Sequence, residues 1–175
     1  MNTLVVYKSR TGFTKKYAEW ISGELSCSAI DYDALTKDSL NDVGILIYGG
    51  RVHAGMLDSI KKIKELADSR KCRLIVFATG ASPADAYDDI DKMWENNGID
   101  EKYPHFYFQS GLCYEKMGVA DKLMMKIFSK MVNGKKDKSD SDKAMAEAIS
   151  KSYDATSKDY IKPLVEYVRN AENAE

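Results

Sequence analysis

Hydroxyl side chains cluster directly after the first apolar run of the chain. Residues 4–7 are typical of a buried strand, and a helical apolar pattern begins at Tyr17. The start of a helix attracts anions through its free N–H groups and its dipole. A glycine there lets the backbone approach an anion closely, and hydroxyls add donors. The spacing predicts a phosphate-binding loop formed by Ser9, Arg10, Thr11, Gly12, Phe13 and Thr14.

This loop matches neither of two common phosphate-binding motifs. No Gly-Lys-Ser/Thr completes a Walker A pattern, and one glycine is too few for G-x-G-x-x-G. Residues 9–14 alone would also suit an ordinary capped helix, because Ser and Thr are frequent N-caps. The elements that follow favour the phosphate site.

Apolar strands alternate with amphipathic helices along the chain. Strands are predicted at 4–7, 29–32, 43–48, 74–78 and 104–109, and helices at 17–25, 57–69, 84–96 and 158–170. Strand–helix alternation implies parallel pairing through right-handed crossovers. The near-continuous apolar strands indicate a sheet covered on both faces. The sequence therefore predicts an α/β protein with a five-stranded parallel sheet.

Two further predicted breaks contribute to the site. We expect loops after the third and fourth strands, where a ligand binds in such sheets. Arg51 and His53 are the cationic candidates in the loop after the third strand. Their side chains could equally contact a ligand or face solvent. The candidate residues are Gly49, Gly50, Arg51, Val52, His53 and Ala54 after the third strand, and Thr79, Gly80 and Ala81 after the fourth.

A segment at about 111–157 exceeds what a minimal five-stranded sheet needs. It contains an amphipathic pattern whose apolar positions are Val119, Leu123, Ile127, Phe128 and Met131. A polar loop is predicted at 135–142 and a further helix from 144. The apolar positions suit either a core face or a surface, and nearby lysines favour membrane or partner contact through about 114–136. These lysines are Lys116, Lys122, Lys126, Lys130, Lys135 and Lys136.

Composition limits the possible functions. A chain of 175 residues suits a single domain, here 1–175 with the insertion. A net charge of −1 gives no field that would attract nucleic acid. Three widely spaced cysteines and two histidines form no metal motif. We expect a cytoplasmic protein, because no signal peptide or membrane-length apolar run is evident and disulfide spacing is absent.

Residues 9–14 resemble the phosphate loop (S/T)-x-T-G-x-T of the flavodoxin-like superfamily, with Phe13 where flavodoxins often have Asn. Residues 49–55, 110–114, 121–126 and 130–131 are similar to the menaquinone-dependent protoporphyrinogen oxidase branch. The resemblance implies a three-layer sandwich with strand order 2-1-3-4-5, for which flavodoxin is itself the usual example. It also implies FMN at the predicted loops, with electrons passing from a porphyrinogen to a quinone.

The sequence thus predicts an FMN-binding redox protein. An oxidoreductase passing electrons between a reduced substrate and a quinone or protein partner is favoured by the near-neutral charge and the basic insertion. One alternative is a one-electron carrier without a substrate of its own. A third is a flavodoxin-like domain that has lost FMN and only binds a partner, which the Phe13 departure leaves open.

Overall fold

The computed structural model describes residues 2–134, 139, 143 and 146–173. The chain divides into two compact units, Met1–Ser110 with Thr156–Glu175, and Gly111–Ala155. The second unit lies within the segment predicted as an insertion at 111–157. Each unit is therefore described by itself.

A parallel sheet forms the centre of the first unit. Its strands are β1 (Asn2–Lys8), β2 (Ser28–Asp31), β3 (Val43–His53), β5 (Arg73–Gly80) and β6 (His105–Gln109). They lie in the order β2-β1-β3-β5-β6, and every neighbouring pair is parallel. The predicted order of five parallel strands, 2-1-3-4-5, is confirmed. A short strand β4 (Met56–Leu57), which was not predicted, pairs antiparallel with the end of β3.

Helices cover both faces of this sheet, as the apolar strands predicted. Side chains alternate along each strand, so Val5 faces one helical layer and Val6 faces the other. The first layer contains α1 (Phe13–Leu25) and α5 (Lys162–Asn173). The second contains α2 (Ile60–Arg70) and α3 (Tyr87–Asn96). The result is the expected three-layer sandwich.

The predicted break at Gly49 and Gly50 is wrong, because β3 runs through both glycines to His53. They are needed for close packing and not for a turn. A Cβ on Gly49 would lie 1.9 Å from Cζ of Phe77, and one on Gly50 would lie 2.9 Å from a methyl carbon of Leu57. Thr79 and Gly80 are the last two residues of β5, so that strand ends at Gly80 as predicted.

Three predicted helices begin later than expected, among them the helix predicted over 84–96, which begins at Tyr87. The helix predicted from residue 57 begins at Ile60, because Leu57 pairs with Val52 in β4. The last helix was predicted from residue 158, but Lys158–Ile161 form a 3₁₀ turn and α5 follows it. Pro163 is the second residue of α5, where the helix needs no N–H donor.

The hydroxyl of Tyr17 lies between the two points where the chain leaves and re-enters the first unit. It donates to the carbonyl oxygen of Gln109 at the end of β6. It also accepts a hydrogen bond of 3.2 Å from the backbone N–H of Ser157. One buried side chain on α1 therefore fixes both ends of the intervening segment.

The second unit contains α4 (Val119–Asn133) and a short antiparallel pair, β7 (Gly111–Leu112) with β8 (Tyr153–Asp154). The amphipathic helix predicted there is confirmed. The loop predicted at 135–142 and the helix start at 144 lie largely outside the described residues. In the described parts of both units, we find no helix with the length and apolar character needed to cross a bilayer.

Candidate functional site

The carboxyl ends of the parallel strands meet along one edge of the sheet in the first unit. Lys8 of β1 is in register with Gly50 of β3, which is in register with Ala78 of β5 and then Tyr107 of β6. The three predicted site segments, residues 9–14, 49–54 and 79–81, lie at or directly after these strand ends. Ligands bind at this edge in doubly wound sheets, so the fold places the predicted site residues at the position where a ligand is expected.

The loop after β1 leads directly into α1 and is shaped to receive an anion. Gly12 occupies the N-cap position with a φ of 100°, a left-handed conformation that glycine adopts without strain. It has no side chain with which to cap the helix. The first turn of α1 contains no acidic residue and includes Lys15 and Lys16. The positive end of the helix dipole therefore faces the loop without a compensating carboxylate.

The Ser9 hydroxyl is a polar group of this loop whose hydrogen-bonding capacity is unsatisfied. Its Oγ atom is buried and has no hydrogen-bond partner among the described residues. Buried polar atoms without a partner are uncommon because each costs about 1–3 kcal/mol. An anion at the start of α1 would satisfy this donor, so the loop fits a phosphate group.

A pair of buried hydroxyls joins the first and third segments. Oγ1 of Thr14 lies 2.8 Å from Oγ1 of Thr79, and both residues are about 2% exposed. The Thr79 hydroxyl also points towards the carbonyl oxygen of Gly50 at 3.5 Å. The Thr14 hydroxyl therefore helps to position α1 against β5, while the Ser9 hydroxyl remains available for a ligand.

The second segment is a hairpin and not the loop that was predicted. Val52 pairs with Leu57 and His53 with Met56, so Ala54 and Gly55 form a two-residue turn. Their φ angles are 49° and 78°. Positive φ at both central residues is the geometry that two-residue hairpin turns need. The end of β3 is thus held in place by its pairing with β4.

The hairpin pairs the Arg51 guanidinium with a carboxylate that sequence reasoning missed. Nε of Arg51 donates to Oδ2 of Asp58 at 2.9 Å, and the two side chains are 19% and 30% exposed. The Asp58 backbone N–H also donates to the Arg51 carbonyl oxygen, at 3.2 Å. Arg51 therefore does not present a bare positive charge. A hairpin prediction from the Ala-Gly turn would have placed these two residues opposite each other.

Two further residues hold the hairpin in place through hydrogen bonds. Asn97, the buried residue after α3, accepts from the Leu57 N–H at 2.8 Å and donates to the Gly55 carbonyl oxygen at 3.0 Å. Tyr48 donates its hydroxyl to the Asp58 carbonyl oxygen. Burial raises the pKa of Tyr48 far above its ordinary value, and the Asp58 carboxylate raises it further. Neither role is visible in a local sequence pattern, because both depend on distant contacts.

The remaining predicted residues lie at the same edge. Arg10 is exposed in the first loop, Phe13 begins α1, and Gly80 ends β5 against Tyr107. A Cβ on Gly80 would lie 2.6 Å from the Tyr107 hydroxyl oxygen, so glycine is required there by packing. Ala81 directly follows β5.

A five-stranded parallel sheet of this order, with a hydroxyl-bearing loop between β1 and α1, defines a flavodoxin-like α/β protein. The chain belongs to the flavodoxin domain family, whose model matches residues 4–139. No curated protein matches the chain.

Several solved structures are similar to this chain. The flavodiiron core of Flv1 from Synechocystis sp. PCC6803 is 16% identical with a TM-score of 0.44, and the match covers 62% of this chain but only 29% of that one. A flavodoxin from the domain Archaea is 15% identical over 74% of this chain and 98% of its own, with a TM-score of 0.42. A flavoprotein in complex with FMN from Lactobacillus acidophilus NCFM is 19% identical over 62% and 91%, with a TM-score of 0.41.

Proposed function

We propose that this protein binds FMN and acts as an oxidoreductase that passes electrons between a reduced substrate and a quinone or protein partner. The observation that best supports FMN binding is the buried Oγ of Ser9, which has no hydrogen-bond partner among the described residues and precedes α1. Membership of the flavodoxin domain family supports the same conclusion. FMN, when bound, supplies a ring that accepts and releases one or two electrons.

The chain's own residues would then position and hold the cofactor. Ser9, Thr11 and the first turn of α1 would receive the phosphate, with Gly12 allowing the close approach. The Thr14–Thr79 contact would fix the start of α1 against β5. The hairpin after Gly50 and the residues after Thr79 would flank the ring.

The phosphate assignment can be tested by comparing FMN with riboflavin, which lacks the phosphate. A hydrogen bond to a charged group contributes about 1.5–3 kcal/mol, so Ser9→Ala should weaken FMN binding about 10- to 150-fold. Riboflavin binding should change far less. Ser28→Ala, on the exposed surface of β2, is the matched control. Fluorescence titrations in which Ser9→Ala binds FMN like the wild type would contradict the assignment.

The oxidoreductase role rests on the near-neutral net charge of −1 and on the basic second unit. The resemblance of residues 49–55, 110–114, 121–126 and 130–131 to the protoporphyrinogen oxidase branch suggests a porphyrinogen as donor and a quinone as acceptor. Anaerobic reduction of the loaded protein with each candidate donor, followed by reoxidation with a soluble quinone, tests both. If the protein turns over neither a porphyrinogen nor a quinone, the oxidoreductase role is contradicted, but the proposal that the protein binds FMN is not affected.

One observation favours a one-electron carrier as the second candidate. Arg51 is paired with Asp58, so the positive charge that would stabilise a fully reduced, anionic flavin is partly neutralised. A carrier holds one electron at a time and needs that anion to be disfavoured. Stepwise reduction that accumulates a stable one-electron form would favour the carrier, and direct two-electron reduction would favour the enzyme.

A further inference from the structure

Helix α4 of the second unit exposes an unusually apolar face. Val119, Leu123, Ile127 and Met131 follow one another at four-residue intervals and are 87%, 58%, 52% and 66% exposed. Residues four apart lie on the same side of a helix. The neighbouring Met124 and Phe128 are also exposed and widen this apolar face. Contiguous exposed apolar surface of this kind marks an interaction site in soluble proteins.

A row of lysines borders this face along the whole helix. Lys122, Lys126 and Lys130 also follow at four-residue intervals and are exposed. At 3.6 residues per turn, this row lies beside the line from Val119 to Met131. Asp121, the single acidic residue of α4, is buried on the other side. The exposed part of the helix therefore combines apolar and positive surface without a negative charge.

The apolar face is distinct from the side of α4 that packs within its own unit. Val132 is buried, and Met125 lines a groove of about 690 Å³ together with Tyr114 and Ile149. The three lysines line the same groove at its border with the apolar face, and the Glu115 carboxylate, which also lines it, lies near Lys122. One side of α4 thus packs within the second unit, and the exposed apolar face is on a different side of the helix.

We propose that α4 docks on an anionic lipid surface, with the apolar face inserted among the acyl chains and the lysines at the phosphate level. Helices that lie in a membrane interface have this arrangement of bulky apolar and basic residues. Lysine stems extend along apolar surface while the ammonium groups reach the headgroups. The row of lysines favours an anionic partner. A second copy of the chain is disfavoured, because its own lysines would lie close to these lysines and repel them. A convex face spread over about half the helix suits a planar lipid surface better than a protein groove.

Vesicle co-sedimentation with the full chain tests the proposal without requiring FMN. We expect binding to vesicles of equal parts phosphatidylglycerol and phosphatidylcholine at 0.1 M salt, and little binding to pure phosphatidylcholine. Binding should weaken at 1 M salt, where the Debye length falls from about 10 Å to about 3 Å. Loss of two lysines at the surface should cost about 30-fold in affinity. Lys126→Gln with Lys130→Gln is therefore the basic variant, and Lys61→Gln with Lys62→Gln, on the exposed side of α2, is its control.

The apolar face needs its own variant. Leu123→Ser with Ile127→Ser should weaken vesicle binding at least about tenfold, because both side chains would leave the acyl region. Circular dichroism verifies that the helix is retained. The proposal is overturned if the wild type does not bind anionic vesicles, or if both double variants bind like the wild type. It is also overturned if sedimentation shows a dimer that Leu123→Ser with Ile127→Ser dissolves, or if poly-glutamate resin retains the protein and vesicles do not.

Discussion

The hydroxyls of Thr14 and Thr79 lie 2.8 Å apart in a buried contact that joins the start of α1 to the end of β5. These residues are 65 positions apart in the sequence, and each belongs to a different segment of the proposed cofactor site. The contact therefore determines how the phosphate loop is placed relative to the third segment. Its strength is a property of the fold and can be measured without a ligand.

Thr79→Val should destabilise the protein by about 1–3 kcal/mol, because it leaves the buried Thr14 hydroxyl without its partner. Replacing both residues by Val removes both polar atoms, so the double variant should lose less than the sum of the single losses. Urea unfolding of Thr14→Val, Thr79→Val and the double variant gives the coupling energy. Strictly additive losses would show that the two hydroxyls do not interact.

Arg51 and Asp58 should affect the reduction potential of bound FMN in opposite directions. Asp58→Asn removes a negative charge from beside Arg51 and should raise the midpoint potential, whereas Arg51→Gln should lower it. For a two-electron couple, each 1.4 kcal/mol corresponds to about 30 mV. Potentiometric titration of both variants is the measurement, with Lys61→Gln on α2 as the control. Identical potentials in all of them would place this ion pair away from the flavin.

Gly49 should tolerate no side chain. The added Cβ of Gly49→Ala would lie 1.9 Å from Cζ of the fully buried Phe77, so the core must shift at a cost of about 1–3 kcal/mol or more. Gly23 in α1 is the contrasting position, because an added Cβ meets nothing within 4 Å. Gly23→Ala should stabilise the protein by about 0.5–1 kcal/mol. Thermal unfolding of the two variants should therefore show midpoints displaced in opposite directions from the wild type.

Tyr48 should make the protein less stable at high pH. Its pKa is raised in the folded state, so above about pH 10 the unfolded chain loses the proton while the folded chain keeps it. The unfolded state then binds fewer protons, and the free energy of unfolding falls as the pH rises. Tyr48→Phe should be about 1 kcal/mol less stable at pH 7, where it lacks the hydrogen bond to Asp58. Urea unfolding from pH 8 to 11 should show a shallower decline in the variant, and parallel curves would contradict this.

The strands were predictable because a parallel sheet buried on both faces demands continuous apolar runs. Residues 43–48 and 74–78 carried that pattern, and both lie in buried strands. Gly49 and Gly50 were misread because a glycine pair has the same local appearance in a turn and in a tightly packed strand. Only the position of Phe77 on the neighbouring strand distinguishes the two.

The candidate site was predictable in part. The hydroxyl-rich loop could be read locally, since Ser9 to Thr14 lie next to one another. The partner of Arg51 was missed because Asp58 was assigned to a helix, which hid the hairpin that pairs them. Thr14 was expected to hold the phosphate, but its contact with Thr79 depends on a register that no local pattern contains.

The Tyr17 hydroxyl contacts both the residue where the chain departs from the sheet, Gln109, and the residue where it returns, Ser157. A loop whose ends are already held together adds little closure entropy when its length changes. We therefore expect the sheet to tolerate changes in the length of the 111–155 segment, and replacing that segment by a short turn should leave the sheet domain folded. Such a variant would separate whatever the segment recognises from the chemistry of the domain that carries it.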